Sequence, residues 1–244
     1  GLCQIMKYFG ELSMHTISII IPVGHQKANL EKVRTMLAHT ADSIEVILVV
    51  SPAMRKKMRP ENPMEQVVAA PEKGRGHALF HGLRFATGDI IMFLHADTLL
   101  PHDWYDHVLK AMSDKRIAGG GFSLAFDKSN KYLEFLVFLS DTLFRFTAEL
   151  WGDRALFVRA GIVHDRAVFL RVPIMEDVRL SGVMRRHGKV VKLSTQVTTS
   201  AKAFRRKGPL RHTFRILICR AWYALGGDLD RIYRFYYFGQ SKDP

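Results

Sequence analysis

Apolar runs that do not alternate with polar residues punctuate the first half of the chain, at Ile17–Val23, Ile44–Val50 and Ile90–Leu94, with a shorter run at Gln66–Ala70. A strand that is apolar at every position must be covered on both faces, as in a parallel sheet flanked by helices. The segments between the runs fit that requirement. Leu30, Val33, Met36 and Leu37 fall at helical spacing within Gln26–Ala38, and Gly74-Arg75-Gly76 opens a helix reaching Ala86. Strand and helix repeated in this order predict right-handed crossovers and an α/β sheet of nucleotide-binding type. A basic, proline-punctuated loop is expected at Met54–Pro63.

The second half is less regular. Pro101 suits the first turn of a helix to Ser113, and Gly119-Gly120-Gly121 leads into a strand through Phe126. A long apolar helix is predicted over Asn130–Leu150, a strand at Ala155–Val158, a helix at Glu176–His187 and one or two strands in Lys189–Val197. Two basic helices, Pro209–Leu225 and Leu229–Phe238, follow, parted by Gly226-Gly227 with Asp228 as N-cap. No repeat, low-complexity tract or linker interrupts the chain. Its 244 residues suffice for one α/β core. The expected division is a peripheral or disordered N-terminus over 1–15, a catalytic domain over 16–200 and a basic amphipathic helical appendage over 201–240 packed on it. Gly1 in place of methionine reads as an expression scar, with Met6 or Met14 nearer the natural start.

Composition narrows the class. With 48% hydrophobic residues the chain is not disordered. Its two cysteines, Cys3 and Cys219, form neither a disulfide framework nor a metal cluster, which suits a reducing cytoplasm. No run approaches the ~18 uncharged residues of a membrane span; Tyr132–Ala148 is interrupted by Glu134, Asp141 and Arg145. The net charge of +13 calls for anionic partners: a nucleoside diphosphate, a phospholipid surface or nucleic acid. The excess lies late, with ten Lys or Arg against three Asp from Lys202 to Pro244. Aromatics interleave with these cations, as in helices that lie on an anionic membrane surface, here the inner face of the cell membrane, and serve a lipid-linked acceptor. The same faces would equally pack on the catalytic domain or on a twin subunit as a homodimer. No recognised nucleic-acid motif is present, so no specific nucleic-acid partner is expected.

The chemistry-bearing residues sit at the strand ends. Ligands of open α/β sheets bind beyond the carboxyl ends of the strands, where Ile90–Leu94 runs into His95-Ala96-Asp97-Thr98. A carboxylate at Asp97 suits a hard divalent cation held against a diphosphate; otherwise it caps the helix near Pro101 or makes a turn. His95 offers a nitrogen ligand or a bond to phosphate, or is simply satisfied in the turn. Lys73, Gly74 and Arg75 form a cationic turn at a helix start, suited to phosphate or merely solvated. Met175-Glu176-Asp177-Val178 opens the later helix. Asp177 is placed to act as a base, and both acids also suit a helix N-terminus. Trp151-Gly152-Asp153 precedes a strand, and an indole there would floor an acceptor pocket or belong to the core.

Taken together in order, Ile17 to Pro22, Gly74-Arg75-Gly76, Gly88-Asp89 through Thr98, Gly152 to Arg159 and Met175 to Val178 resemble the family-2-like glycosyltransferases of GT-A fold, especially a poorly characterised bacterial subgroup. The resemblance covers 16–240 and implies a Rossmann-like, mostly parallel sheet with a helical C-terminal appendage. It also implies inverting transfer of a sugar from a nucleoside diphosphate sugar to a hydroxyl acceptor, assisted by Mg or Mn. Under it, Asp97 matches the last acid of the metal motif, with His95 where relatives carry the first. Asp177 matches the catalytic base, Glu176 its acidic neighbour, and Gly152 and Asp153 the acceptor-facing loop. Pro22, Ser51, Lys73, Gly74 and Arg75 complete the donor side. The chain departs from the family at Gly24-His25-Gln26, where an Asn-Glu pair is usual, at Ser51-Pro52-Ala53, where an acidic turn is usual, and at Phe80, where asparagine is usual. Those donor-side departures keep two alternatives in view, a degenerate fold serving as a basic membrane-surface scaffold and a nucleotidyltransferase.

Overall fold

The structure, a computed structural model, describes residues 17–24, 27–38 and 44–238. The expectations for residues 1–15, Cys3, His25, Gln26 and the last six positions lie outside that range. Seven strands, β1 (Ile17–Pro22), β2 (Ile44–Val50), β3 (Glu65–Ala69), β4 (Ile90–Phe93), β5 (Ile117–Phe126), β6 (Leu156–Arg159) and β7 (Lys189–Thr199), form one sheet in the order β3-β2-β1-β4-β6-β5-β7. β1 pairs in parallel with β2 and β4, and β2 with β3. β6 is antiparallel to β4 and β5, and β7 runs parallel to β5.

Helices cover both faces: α1 (Lys27–Leu37), α2 (Pro52–Arg55), α3 (Arg75–Leu83), α4 (Trp104–Met112), α5 (Lys131–Thr147), α6 (Ala160–Val163) and α7 (Glu176–His187). Ile17, Ile19 and Ile21 of β1 pack with Leu30, Val33 and Leu37 of α1 and Val108 of α4. The intervening Ile20 faces Leu79 and Leu83 of α3, with Leu180 and Met184 of α7 in the same cluster. Burial on both sides explains the lack of alternation in the strand sequences. Each such side chain contributes about 1.5–3 kcal/mol of burial free energy.

Caps set the element ends. The Asn130 side chain accepts the Leu133 N–H at 2.9 Å, starting α5, and Ala148 ends it by turning left-handed at φ 49°, short of Leu150. α4 begins at Trp104 rather than Pro101. The loop after β2 opens with the one-turn α2, whose N-cap is Ser51. Lys189–Thr199 is a single strand, with a register shift against β5 between Phe122 and Ser123.

The basic C-terminal part forms α8 (Lys202–Lys207), α9 (Pro209–Ala224) and α10 (Leu229–Phe238); α8 was not foreseen. Cys219 and Ile232 are buried against Ile174 and Met175, with Trp222, Tyr223, Tyr233, Phe235 and Tyr236 packed around them. Much of the late aromatic content is thereby spent on covering the segment that leads into α7. Among the described residues, no helix is long and apolar enough to cross a membrane.

Candidate active site

Three segments converge at the carboxyl end of β4. In the first, Leu94 stays buried and the chain turns, the Thr98 N–H donating to the His95 carbonyl at 3.1 Å. Asp97 is not a helix cap, because α4 starts after Asp103.

The second segment is Gly74-Arg75-Gly76. Gly74 has φ 114°, and a Cβ there would come within 2.5 Å of Pro173 Cα; one on Gly76 would lie 2.3 Å from the Val172 carbonyl oxygen. These glycines let residues 170–173 lie directly on the start of α3. The Arg75 N–H donates to Pro173 O at 3.2 Å. The Arg75 N–H is therefore engaged by protein. It is the Arg75 side chain that reaches outward, its Nε bonded to Glu176 Oε1.

The third segment begins with Met175, left-handed at φ 67°, which swings the chain into α7 and presents Glu176 and Asp177 side by side. Glu176 is buried, and its Oε2 has no hydrogen-bond partner. Asp177 Oδ1 accepts the Val178 N–H at 2.9 Å, and Oδ2 accepts the Gly152 N–H at 3.0 Å. Asp177 thus does serve the helix N-terminus, but it also binds a loop from another part of the chain. That loop is stapled in turn to β4: His95 Nδ1 lies 2.7 Å from Asp153 Oδ1. A Cβ on Gly152 would sit 3.3 Å from both His95 Nε2 and Arg75 Nη2.

Behind the loop, buried Arg154 donates to Phe122 O (3.2 Å), Ser140 Oγ (3.0 Å) and Asp141 Oδ1 (2.7 Å), tying it to β5 and α5. Ala148 and Ala155, with φ 49° and 47°, bracket it. Together with Met175 they are the non-glycine residues of positive φ among the described residues, and all three border this site. Such strain is held in place by surrounding structure at a cost of order 1–3 kcal/mol each.

The second and third segments, with the Trp151–Asp153 loop, border an open cavity of about 130 Å³. Arg75, Trp151, Gly152, Asp153, Ile174, Met175 and Asp177 wall it on one side, and Ile216, Cys219, Arg220, Tyr236 and Tyr237 of α9 and α10 on the other. Of the sequence candidates, Arg75, Trp151, Gly152, Asp153 and Asp177 line the cavity; Glu176 and His95 touch its walls through Arg75 and Asp153. Asp97 does not line it, but shares its field with His95, Asp153 and Arg75. Pro22 ends β1 and Ser51 follows β2, on the same side of the sheet as the end of β4, outside this cavity. The Ser51 hydroxyl accepts the Met54 N–H at 3.3 Å. Lys73 also lies outside the lining, and Phe80 packs partly buried against the core. The residues of α9 and α10 were missed individually. The i, i+3, i+4 spacing of Ile216, Cys219 and Arg220 marked one helix face, but not what that face would meet.

Charge accumulates here. For Asp97, burial raises the pKa, His95 opposes this and the Asp153 carboxylate adds to it. Burial likewise works to raise Asp153, but the His95 hydrogen bond, the His95 charge and Arg75 outweigh it and hold Asp153 at about 2. Burial, then repulsion from Glu176, pushes Asp177 above the usual carboxylate range against the pull of Arg75 and two N–H donors. Asp97, Asp153 and His95 share one electrostatic neighbourhood, and carboxylate oxygens are the ligand type a hard divalent cation takes. Among the described residues, no three His, Cys, Asp or Glu side chains are grouped so as to hold a metal ion by themselves. One or two protein ligands would leave the remaining positions of such an ion to phosphate oxygens and water.

Solved structures of similar fold include the mannosyltransferase PcManGT from Pyrobaculum calidifontis in complex with GDP-Man and Mn2+, with TM-score 0.62 and 16% identity over 94% of this chain and 66% of that one. Glucosyl-3-phosphoglycerate synthase from Mycobacterium tuberculosis, in complex with Mn2+, UDP and glucosyl-3-phosphoglycerate, gives 0.52 and 15% over 75% of this chain and 70% of that one. S. aureus TarS (residues 1–349) in complex with UDP-GlcNAc gives 0.57 and 13% over 76% of this chain and 58% of that one. The chain thus spans about two thirds of the length of these structures, and at such identities the likeness establishes the shared GT-A fold. No curated protein matches in sequence. The family model for glycosyl transferase family 2 matches residues 18–172, most of the sheet and the β4 terminus included, and the chain belongs to that family.

Proposed function

We propose that the protein transfers a sugar from a nucleoside diphosphate donor to a hydroxyl acceptor with inversion at the anomeric carbon. The observation that carries this reading is the Gly152 N–H bond to Asp177, which ties the α7 carboxylate to the loop that binds His95 at the end of β4. The link from Asp177 through Gly152 and Asp153 to His95 supports a site shared by the two remote segments. The nucleotide sugars and Mn2+ held by similar structures support the donor class.

In this mechanism Asp177 takes the proton of the acceptor hydroxyl as its oxygen attacks the anomeric carbon. The bond to the β-phosphate oxygen breaks on the opposite face, its electron pair leaving with the nucleoside diphosphate. Placing the base opposite the leaving group is what inverts the configuration. Burial and Glu176 raise the basicity of Asp177 toward the working pH, which favours proton transfer. Arg75, oriented by Glu176, faces the developing negative charge of the diphosphate. Asp97 and His95 would hold Mg or Mn, which when bound supplies Lewis-acid stabilisation of that diphosphate. Trp151, Gly152 and Asp153 with the α9 and α10 side chains would form the acceptor side, the indole and tyrosine rings offering faces to a sugar or other ring.

The test is thermal-shift screening against nucleotide sugars with and without Mn2+, followed by turnover assays. Asp97→Asn is expected to lose the Mn-dependent stabilisation by donor, whereas Asp177→Asn keeps it and loses turnover. Transfer at the parent rate by both variants would refute the assignment.

A further inference from the structure

α5 is apolar on two opposite faces. Leu133, Leu136 and Ser140 are buried inward, Leu133 and Leu136 against Phe204 of α8. Phe135, Phe138, Leu139, Leu143 and Phe146, at helical spacing on the other side, face solvent, with Phe138 66% and Phe146 84% exposed. This stripe runs about 17 Å along the helix. α9 repeats the arrangement: His212, Arg215 and Cys219 are buried, while Leu210, Phe214 and Leu217 stand outward, Leu210 71% exposed. Tyr132 and Thr213 share a hydrogen bond of 2.9 Å, and Arg220 of α9 pairs with Glu149 just beyond α5. α9 is thus tied near both ends of α5, bringing the stripes to one flank. A helix face this apolar is not left in water without a partner.

The charges bordering the flank indicate the partner. On α5 itself Lys131 and Arg145 are exposed and the exposed acid is Glu134, and Arg205 and Arg206 of the adjoining α8 are exposed as well. Asp141 is neutralised by Arg154 and Lys192, and Glu149 by Arg220. The whole chain carries +13. We propose that the outward faces of α5 and α9 dock on the interface of an anionic phospholipid bilayer, phenylalanines and leucines entering the headgroup boundary and the basic side chains meeting lipid phosphates. The aromatics of α10, which sequence alone would equally assign to a membrane, are mostly occupied in packing. The proposal does not depend on the catalytic reading.

The experiment is flotation of the full chain with phosphatidylcholine vesicles and with phosphatidylcholine–phosphatidylglycerol vesicles. The parent should bind the second and barely the first, and high salt should weaken binding. The double variant Phe138→Glu/Phe146→Glu should bind at least about tenfold more weakly while melting as the parent does. Lys56→Ala/Lys57→Ala, which lowers the charge equally at another surface, should bind nearly as the parent. If the first pair perturbs folding, Leu210→Glu/Leu217→Glu on α9 carries the same comparison. No preference for phosphatidylglycerol, or undiminished binding by the α5 and α9 variants, would overturn the proposal. So would a parent dimer in light scattering that these variants split without any vesicle binding, since the flank would then be an interface between copies.

Discussion

Replacing Asp177 by asparagine separates chemistry from folding more cleanly than any other change at this site. The amide keeps the size of the carboxylate, and one oxygen can still accept a single N–H. The other bond, to Gly152 or to Val178, is lost, leaving a partly buried donor unpaired at a cost of about 1–3 kcal/mol. Against this, the neutral side chain no longer places a charge in a buried setting beside Glu176, which favours the folded state. The two effects oppose, so the melting temperature should stay within about 4 °C of the parent, given about 2–4 °C per kcal/mol at this size. The rate should behave differently. Loss of a positioned base removes about 10²–10⁴-fold, which is about 3–5 kcal/mol of barrier. Initial rates of nucleoside diphosphate release in the presence of acceptor, with melting curves taken with and without donor, measure both quantities. A variant turning over within about tenfold of the parent would refute the assignment of the base. So would one that loses donor stabilisation as completely as Asp97→Asn, because Asp177 would then belong to the donor site.

The pH dependence carries a sign. Asp177 must be ionised to act, so kcat/KM should rise through a pKa above the ordinary 3.8, and Glu176→Gln, by removing the neighbouring negative charge, should move that limb to lower pH. An unmoved limb in a pH–rate profile would show that another group is titrating. Arg154→Met removes the cation that binds Phe122, Ser140 and Asp141 from inside the fold; a loss of about 3 kcal/mol and about 6–12 °C in melting temperature is expected. Gly74→Ala places a Cβ against the Pro173 backbone at φ 114°, and should both lower the melting temperature and weaken donor stabilisation by displacing Arg75 from Glu176.

How much of this was legible beforehand follows from the range of the forces involved. β2, α7 and α10 fall on their predicted residues, because continuous burial and helical spacing are local patterns that the core merely confirms. The ends that shifted did so for local reasons a linear reading underweights: α5 stops at Ala148 through a left-handed alanine, a conformation that composition does not announce. The Gly-Arg-Gly turn shows the same limit at the site. Its glycines suit a phosphate, and they also permit close packing on 170–173, a use visible only once that segment is in place.

The order of strand and helix, the apolar cores of β1, β2 and β4, and the acids at 97, 153, 176 and 177 were written in the linear chain, since each rests on neighbours a few residues away. The direction of β6, the meeting of Gly152 with Asp177, the His95–Asp153 pair and the walling of the cavity by α9 and α10 were decided by the tertiary structure alone. They join segments separated by tens of residues, where chain connectivity and packing, rather than residue preference, choose the partner.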